Sequence, residues 1–133
     1  MALSLEIVTP EQRALSVQCD EVRLPGVEGS FGVRPGHTPL VAALAAGELI
    51  IVNAGAERRF AVGEGFAEVS DDRLRVLVEE AVRAEDLDAA STASDLATRT
   101  KALAAMKQED PAYALERARV ARAAARALVA GKR

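Results

Sequence analysis

A chain of 133 residues is long enough for one ordinary domain, or for a small domain with an appendage. Hydrophobic residues make up 50% of the chain and aromatic residues only 3%, so its core has to be aliphatic, and the scarcity of rings argues against a surface that stacks nucleic-acid bases. The formal net charge of −3 at pH 7 does not by itself indicate a polyanionic partner.

Up to about residue 84, apolar and polar residues alternate in short runs, which is the pattern of half-buried β-strands. In the first run, for example, Leu3, Leu5 and Ile7 share one face. Turn-forming residues separate the runs, as in "LPGVEG", "RPGHTP" and "SDD". Seven or more strands at this spacing predict an antiparallel β-sandwich or barrel over residues 1–84, with Asp71 and Asp72 in a hairpin turn.

The single cysteine, Cys19, alternates with Leu15 and Val17, so we expect a buried thiol rather than a reactive one. With no second cysteine, an internal disulfide is excluded. No basic-then-apolar leader opens the sequence, and no apolar run approaches the ~20 residues that span a bilayer. We therefore expect a soluble, cytoplasmic protein that reaches a membrane only through partners.

The stretch Leu24–Leu44 holds four glycines, three prolines and the only histidine, which raises the question of a phosphate loop or an active site. Its glycine spacing matches neither the dinucleotide-binding fingerprint G-x-G-x-x-G nor the phosphate-binding loop of NTPases. The sequence also predicts no helix directly after it, as both motifs require. His37 has Ser30 and Thr38 nearby, but neither is marked as an activated nucleophile. One His and one Cys cannot make a tetrahedral N/S metal site. The pattern favours tight turns, a structural His37 and no enzymatic activity.

After Ala84 the composition shifts to Ala, Leu, Glu, Lys and Arg, which predicts an antiparallel two-helix hairpin over residues 85–133. We expect Glu85 or Asp86 to cap the first helix, and Asp110 with Pro111 to start the second. The predicted contact faces are Ala89, Ala93, Leu96, Thr100 and Leu103 in the first helix, and Ala114, Leu115, Ala118, Ala121, Ala125 and Leu128 in the second.

Contacts between alanines bury little area, so this hairpin is expected to close weakly while each helix remains intrinsically stable. The sequence leaves open whether the hairpin is a movable element or a static one. From Ala112 onwards the sequence has six basic residues and one acidic residue, Glu116, which gives this segment a net charge of +5 and leaves −8 on the rest of the chain. Three of them, Arg119, Arg122 and Arg126, share a helical face, which is either solvated or suited to carboxylates or phosphates.

Four stretches in order, "LEIVTPEQ", "LPGVEGSFGVRPGHTPLVAAL", "GELIIV" and "GFAEVSDDRLRVLVEEAVRAEDLD", resemble the epsilon subunit of bacterial F-type ATP synthases. The resemblance implies α+β architecture, with an N-terminal antiparallel β-sandwich of about ten strands and a C-terminal helical hairpin. It implies a rotor subunit that binds the gamma subunit and the c-ring at the cytoplasmic face of the inner membrane and couples proton translocation to ATP synthesis. No catalytic site, metal or required cofactor is implied.

Residue roles follow from the same resemblance. Glu28, Gly29, Ser30 and Phe31 match the family's loop that faces the c-ring, although members often carry an acid where Ser30 stands. The resemblance also implies a brake, in which the extended hairpin lets the basic second helix meet an acidic loop of the beta subunits and blocks ATP hydrolysis. A non-catalytic sandwich adaptor with a helical dimerisation tail is the alternative.

Some family members bind ATP between the two helices. Asp88, Arg122 and Arg126 match that pattern, but Ser91 stands in place of its arginine. Losing one charge-assisted contact costs about 1.5–3 kcal/mol, so we expect ATP to be at most a weak regulatory ligand.

Overall fold

A computed structural model describes residues 2–132. Met1 and Arg133, the outer ends of the two predicted domain ranges, lie outside these residues. The predicted order of strands followed by helices is confirmed. The strands are β1 Leu3–Val8, β2 Arg13–Cys19, β3 Glu21–Gly26, β4 Gly29–Val33, β5 Leu40–Leu44, β6 Gly47–Asn53, β7 Ala56–Val62, β8 Gly65–Ser70, β9 Arg73–Val78 and β10 Ala81–Arg83. A 3-10 helix, Ala84–Asp86, leads into α1 Ala89–Ala104 and α2 Tyr113–Ala130.

The sheet runs in the order β10-β7-β6-β3-β5-β8-β9-β1-β2, with β4 paired to β3, and it folds over on itself as a sandwich. The pairing is antiparallel except between β1 and β9, where Leu5 lies beside Leu74 in a parallel register. Alternation gives each strand one buried face, as in β1, whose Leu3, Leu5 and Ile7 are fully buried. The aliphatic core that the composition requires therefore lies between the two layers of the sandwich.

Two turns that the sequence identified keep their predicted character. Asp71 and Asp72 have positive φ angles of 51° and 60°, which is the geometry of a tight hairpin turn between β8 and β9. The Asp72 carboxylate accepts a 2.6 Å hydrogen bond from the Gly36 backbone N–H and so ties two loops together. His37 Nδ1 lies 2.7 Å from the carbonyl oxygen of Thr38, which gives that ring the expected local hydrogen bond.

Both predicted helix starts are wrong by two or three residues. Glu85 and Asp86 fall in the 3-10 helix, and the residue that caps α1 is Asp88, whose carboxylate accepts the Ser91 N–H at 2.7 Å. Asp110 Oδ1 instead accepts the Ala112 N–H, so Pro111 lies in a turn and α2 begins at Tyr113. An acidic residue before an apolar run marks a turn or a cap, and the sequence alone does not separate the two.

Candidate functional site

An apolar row crosses the outer face of four neighbouring strands. The strand register places Ala43 beside Phe66, Phe66 beside Leu77, and Leu77 beside Val8. The next residues along these strands, Ala67, Val76 and Ile7, are buried. Because successive side chains of a strand point to opposite faces, the apolar row lies on the outer face of the sheet. Phe66 is 56% exposed.

The next outward row is mostly charged and borders the apolar one. It contains Val41, Glu68, Arg75 and Glu6, partners across the same strands. Glu6 accepts from Arg75 at 3.2 Å and pairs with Arg13 at 2.8 Å. An exposed apolar strip with a charged margin is the composition of a protein contact surface.

The turn between β3 and β4 adjoins this strip. Val27 is exposed at its tip and donates its N–H to the Ala43 carbonyl at 3.0 Å, which anchors the turn to β5. A shallow depression of about 390 Å³ is lined by three of the four predicted contact residues, Glu28, Gly29 and Phe31, together with Val27 and Val41 among others. Ser30, the fourth, lies exposed on β4 opposite Pro25. We call the apolar row, Val41 and this turn the sheet surface.

The C-terminal half of α2 packs on the sandwich through small side chains. Ala125, Val129 and Ala130 form a buried cluster with Ala61, Ala84 and Leu87, which we call the hairpin seat. The predicted contact face of α2 is therefore largely wrong: of its six residues only Ala125 is buried, and both Leu115 and Leu128 are about half exposed. In α1, Leu96 and Leu103 are partly buried as predicted, while Ala89, Ala93 and Thr100 are exposed and the most buried residue is Thr92.

Ion pairs surround the hairpin seat. Arg122 donates to both carboxylate oxygens of Glu64, at 3.1 and 2.9 Å. Arg126 reaches Glu80 at 2.5 Å on the sandwich and Asp95 at 3.3 Å on α1. Arg122 and Arg126 of the basic C-terminal segment therefore meet acidic residues of the same chain.

Burial alone would lower the pKa of Arg126, but hydrogen bonds and charge attraction from Glu80 and Asp95 outweigh it and hold that pKa above its ordinary value. The guanidinium thus stays charged at any physiological pH. Arg119 does not join this cluster, because it pairs with Glu116 on its own helix.

The residues predicted for nucleotide binding are only partly brought together. Arg122 and Arg126 both contact the sandwich, where Arg122 pairs with Glu64 and Arg126 pairs with Glu80. The Asp88 carboxylate instead caps α1 through the Ser91 N–H. Thr92 donates its hydroxyl to the Asp88 carbonyl oxygen at 2.8 Å, which reinforces the same turn.

The outward apolar row was missed at the sequence level, although a signal was available. In "GFAEV" the alternation that buries Ala67 and Val69 puts Phe66 on the same side as Glu68. A large ring on the polar side of a strand indicates a contact surface. The residues that pair with the arginines had no comparable signal, because Glu64, Glu80 and Asp95 are far apart in sequence.

Comparison with known proteins places these features in a family. The ATP synthase, Delta/Epsilon chain, beta-sandwich domain family matches residues 2–84. An ATP synthase epsilon chain of Anaeromyxobacter dehalogenans is 47% identical over 99% of this chain and all of its own length. One from Myxococcus xanthus is 41% identical over 93% of this chain and 91% of its own.

A solved mitochondrial ATP synthase from Euglena gracilis, comprising OSCP, F1 and c-ring, contains a chain with the same fold. The TM-score is 0.78 at 23% identity, covering 99% of this chain and 82% of that one. At this identity the likeness concerns the fold alone.

A sandwich of this topology with an appended helical hairpin is the architecture of an ATP synthase subunit. The chain belongs to the ATP synthase epsilon-chain family, as its resemblance in sequence predicted. It is thereby a subunit of ATP synthase, a membrane-associated complex whose function joins ATP synthesis to proton transport. Within residues 2–132, neither helix is long and apolar enough to cross a bilayer.

Proposed function

We propose that this chain is a non-catalytic rotor subunit of the central stalk, which binds the gamma subunit and the c-ring and so couples proton translocation to ATP synthesis. The observation that carries the proposal is the outward apolar row on β5, β8, β9 and β1, centred on Phe66. A rotor subunit has to be fixed firmly to its shaft, and a rigid sheet face provides a preformed surface for that contact. We assign the apolar row and Val41 to gamma.

The turn that includes Glu28, Gly29, Ser30 and Phe31 is our proposed contact with the c-ring, at the cytoplasmic face of the bacterial inner membrane. Glu28, Gly29 and Ser30 are exposed, and Phe31 is partly buried against the core. Gly29 has a φ of +131°, so a side chain at this position would strain the turn. The bond from the Val27 N–H to the Ala43 carbonyl oxygen anchors the turn, which offers backbone groups as well as a carboxylate to a partner.

Binding to purified gamma subunit tests the first assignment. Replacing Phe66 with Ser removes the largest ring of the surface, and the loss of a central aromatic contact of about 2 kcal/mol weakens binding about thirtyfold. Leu115→Ser is the matched control, because Leu115 is similarly exposed, at 52%, but lies on α2 and not on a strand of the apolar row. Isothermal titration calorimetry on variants with unchanged circular dichroism gives the comparison. Equal affinities for Phe66→Ser and the unmodified chain would remove the sheet surface as the gamma contact.

The C-terminal hairpin acts as a brake in our proposal. When it lies on the sandwich, the enzyme turns over. When it is extended, Arg119, Arg122 and Arg126 meet an acidic loop of the beta subunits and ATP hydrolysis stops. What supports this is the seat itself, which is built of small side chains and ion pairs that could separate without unfolding the sandwich.

Deletion of residues 88–133 tests the brake while keeping Ala84 and Leu87, which cover Ala61. The assembled enzyme carrying this truncated chain should hydrolyse ATP faster than the intact enzyme, since the blocking element is gone. ATP synthesis driven by a proton gradient is the control for correct assembly. Hydrolysis that is unchanged at every ATP concentration and proton-motive force would rule the brake out for this chain.

For ATP, we propose at most weak regulatory binding by Asp88, Arg122 and Arg126. The arginines are already engaged by carboxylates and Asp88 caps a helix, so nucleotide binding would have to compete with these contacts. Calorimetry with the isolated chain should show no site of micromolar or better affinity. A tight one-to-one isotherm would refute this assignment.

A further inference from the structure

The two helices are attached to the sandwich in series. α2 packs on β6, β7 and the 3-10 helix, whereas the principal packing partner of α1 is α2. Two interfaces therefore separate α1 from the sandwich, one between the helices and one at the hairpin seat. Nothing in simple packing requires these two interfaces to open together.

One side chain bridges both interfaces. Arg126 extends one guanidinium nitrogen to Glu80, which lies between β9 and β10, and another to Asp95 on α1. We call these three residues the Arg126 junction. The other pairs that hold α2 down, Arg122 with Glu64 and Lys132 with Glu48, reach only the sandwich.

We infer that the Arg126 junction couples the two interfaces, so that the contact of α1 with α2 and the contact of α2 with the sandwich open together rather than one after the other. If α2 lifts, Arg126 loses Glu80 and becomes free to move relative to Asp95. If α1 lifts, the carboxylate of Asp95 no longer fixes the guanidinium against Glu80. Each interface thereby stabilises the other through one shared donor, which is the condition for cooperative release.

Ionic strength should act on this coupling. The three charged groups are only partly buried, with side-chain exposures of 21% for Arg126, 29% for Glu80 and 44% for Asp95. Screening lengths fall from about 10 Å at 0.1 M salt to about 3 Å at 1 M, so added KCl weakens such pairs while apolar packing at the seat persists. This inference concerns the isolated chain and does not depend on gamma binding or on the brake.

The test uses two engineered cysteines, each in the full-length isolated chain. Val129→Cys reports the hairpin seat, where Val129 is fully buried, and Thr92→Cys reports α1, where Thr92 is 7% exposed. Cys19, buried in the sandwich, serves as the internal standard for global unfolding. Rates of thiol labelling then measure the opening of each interface separately.

Neutral substitutions dissect the junction. In the unmodified junction both reporters should label at similar rates relative to Cys19. Asp95→Asn should raise labelling at Thr92→Cys by roughly two- to fivefold and leave Val129→Cys less affected, as expected for loss of a partly exposed charge pair. Arg126→Gln should raise both rates and remove most of the KCl dependence of labelling at Thr92→Cys, whereas Val129→Cys keeps the part that comes from the Arg122 and Lys132 pairs. Glu116→Gln, which breaks the Arg119 pair within α2, is the control and should change neither.

Because an engineered cysteine can itself disturb packing, amide hydrogen exchange of residues 89–104 and 120–130 should repeat the comparison in chains without one. The coupling is overturned if the two reporters already open at unrelated rates in the unmodified junction. It is equally overturned if Glu116→Gln has the same effect as Asp95→Asn, or if exchange in Arg126→Gln matches that of the parent chain.

Discussion

Gly65, the first residue of β8, lies where a neighbouring strand leaves no space for a side chain. A Cβ built there would lie 1.9 Å from the carbonyl oxygen of Leu77 and 2.8 Å from Cα of Val78. Both atoms belong to the backbone of β9, the paired strand, so neither can swing aside as a flexible side chain would. Gly65→Ala therefore has to separate β8 from β9 or distort their register.

The size of the effect follows from two opposing terms. Overpacking a well-filled site costs typically about 1–3 kcal/mol, and a backbone clash in a strand pair belongs at the upper end of that range. Replacing Gly with Ala also reduces the entropy of the unfolded chain, which offsets about 0.4–1 kcal/mol. We expect a net loss of about 2 kcal/mol in the free energy of unfolding, or about 8 °C in Tm for a chain of this size.

Urea denaturation followed by circular dichroism measures this loss, and Gly63→Ala is the matched control two residues away. At Gly63 a Cβ would meet Arg122 Cδ and Glu79 Cβ at 3.1 Å and the Glu80 backbone nitrogen at 3.2 Å, so these atoms have to yield by only a few tenths of an ångström. The sandwich should lose less than about 1 kcal/mol in that variant. A Gly65→Ala chain that unfolds within about 0.5 kcal/mol of the parent would refute the reasoning from the clash.

Two further predictions concern single side chains. Asp88→Ala removes the N-cap of α1 and should cost about 1 kcal/mol of local stability, which appears as faster amide exchange in the first turn of the helix. Asp88→Asn should retain most of the protection, because asparagine also caps helices. Equal exchange in the two variants would contradict the role of Asp88 as the cap. Burial, followed by the charge of Asp20, raises the pKa of the Cys19 thiol. The stabilisation that comes from the neutral Cys19 thiol is therefore fully present below the pKa of the thiol in the unfolded chain. It is lost as the pH rises through the higher pKa of the thiol in the folded chain. The difference in unfolding free energy between the parent chain and Cys19→Ala should therefore fall from pH 7 to pH 10. A difference that does not change with pH would contradict the raised pKa.

The sandwich was predictable because alternation is a local property of the chain. Leu3, Leu5 and Ile7 show their shared face in sequence, and the structure buries all three. Pairing between distant strands was not predictable in this way. Nothing local in β1 indicates that it lies parallel to β9, with Ser4 beside Arg73, because that register is fixed by how both strands fill the core together.

The faces of α2 could not be read from its sequence for a different reason. Alanine occurs on every side of this helix, so apolar spacing fits several faces equally well. The orientation in the structure is the one that buries Val129 while bringing Arg122 and Arg126 to carboxylates on the sandwich and α1. Arg122 and Arg126 do meet carboxylates, but those partners come from loops and a helix that only the folded chain assembles.

The parallel pairing of β1 with β9 also has a consequence for how the chain folds. Leu5 of β1 pairs with Leu74 of β9, about 70 residues later in the sequence, so this pairing cannot form until β9 is available. Closing a loop of that length is slow compared with forming a local hairpin. During synthesis the β6–β7 hairpin can form at once, while β1 and β2 remain half-paired. The α-helical segment is synthesised after every strand, so all strands of the sandwich are available before the hairpin seat can receive α2.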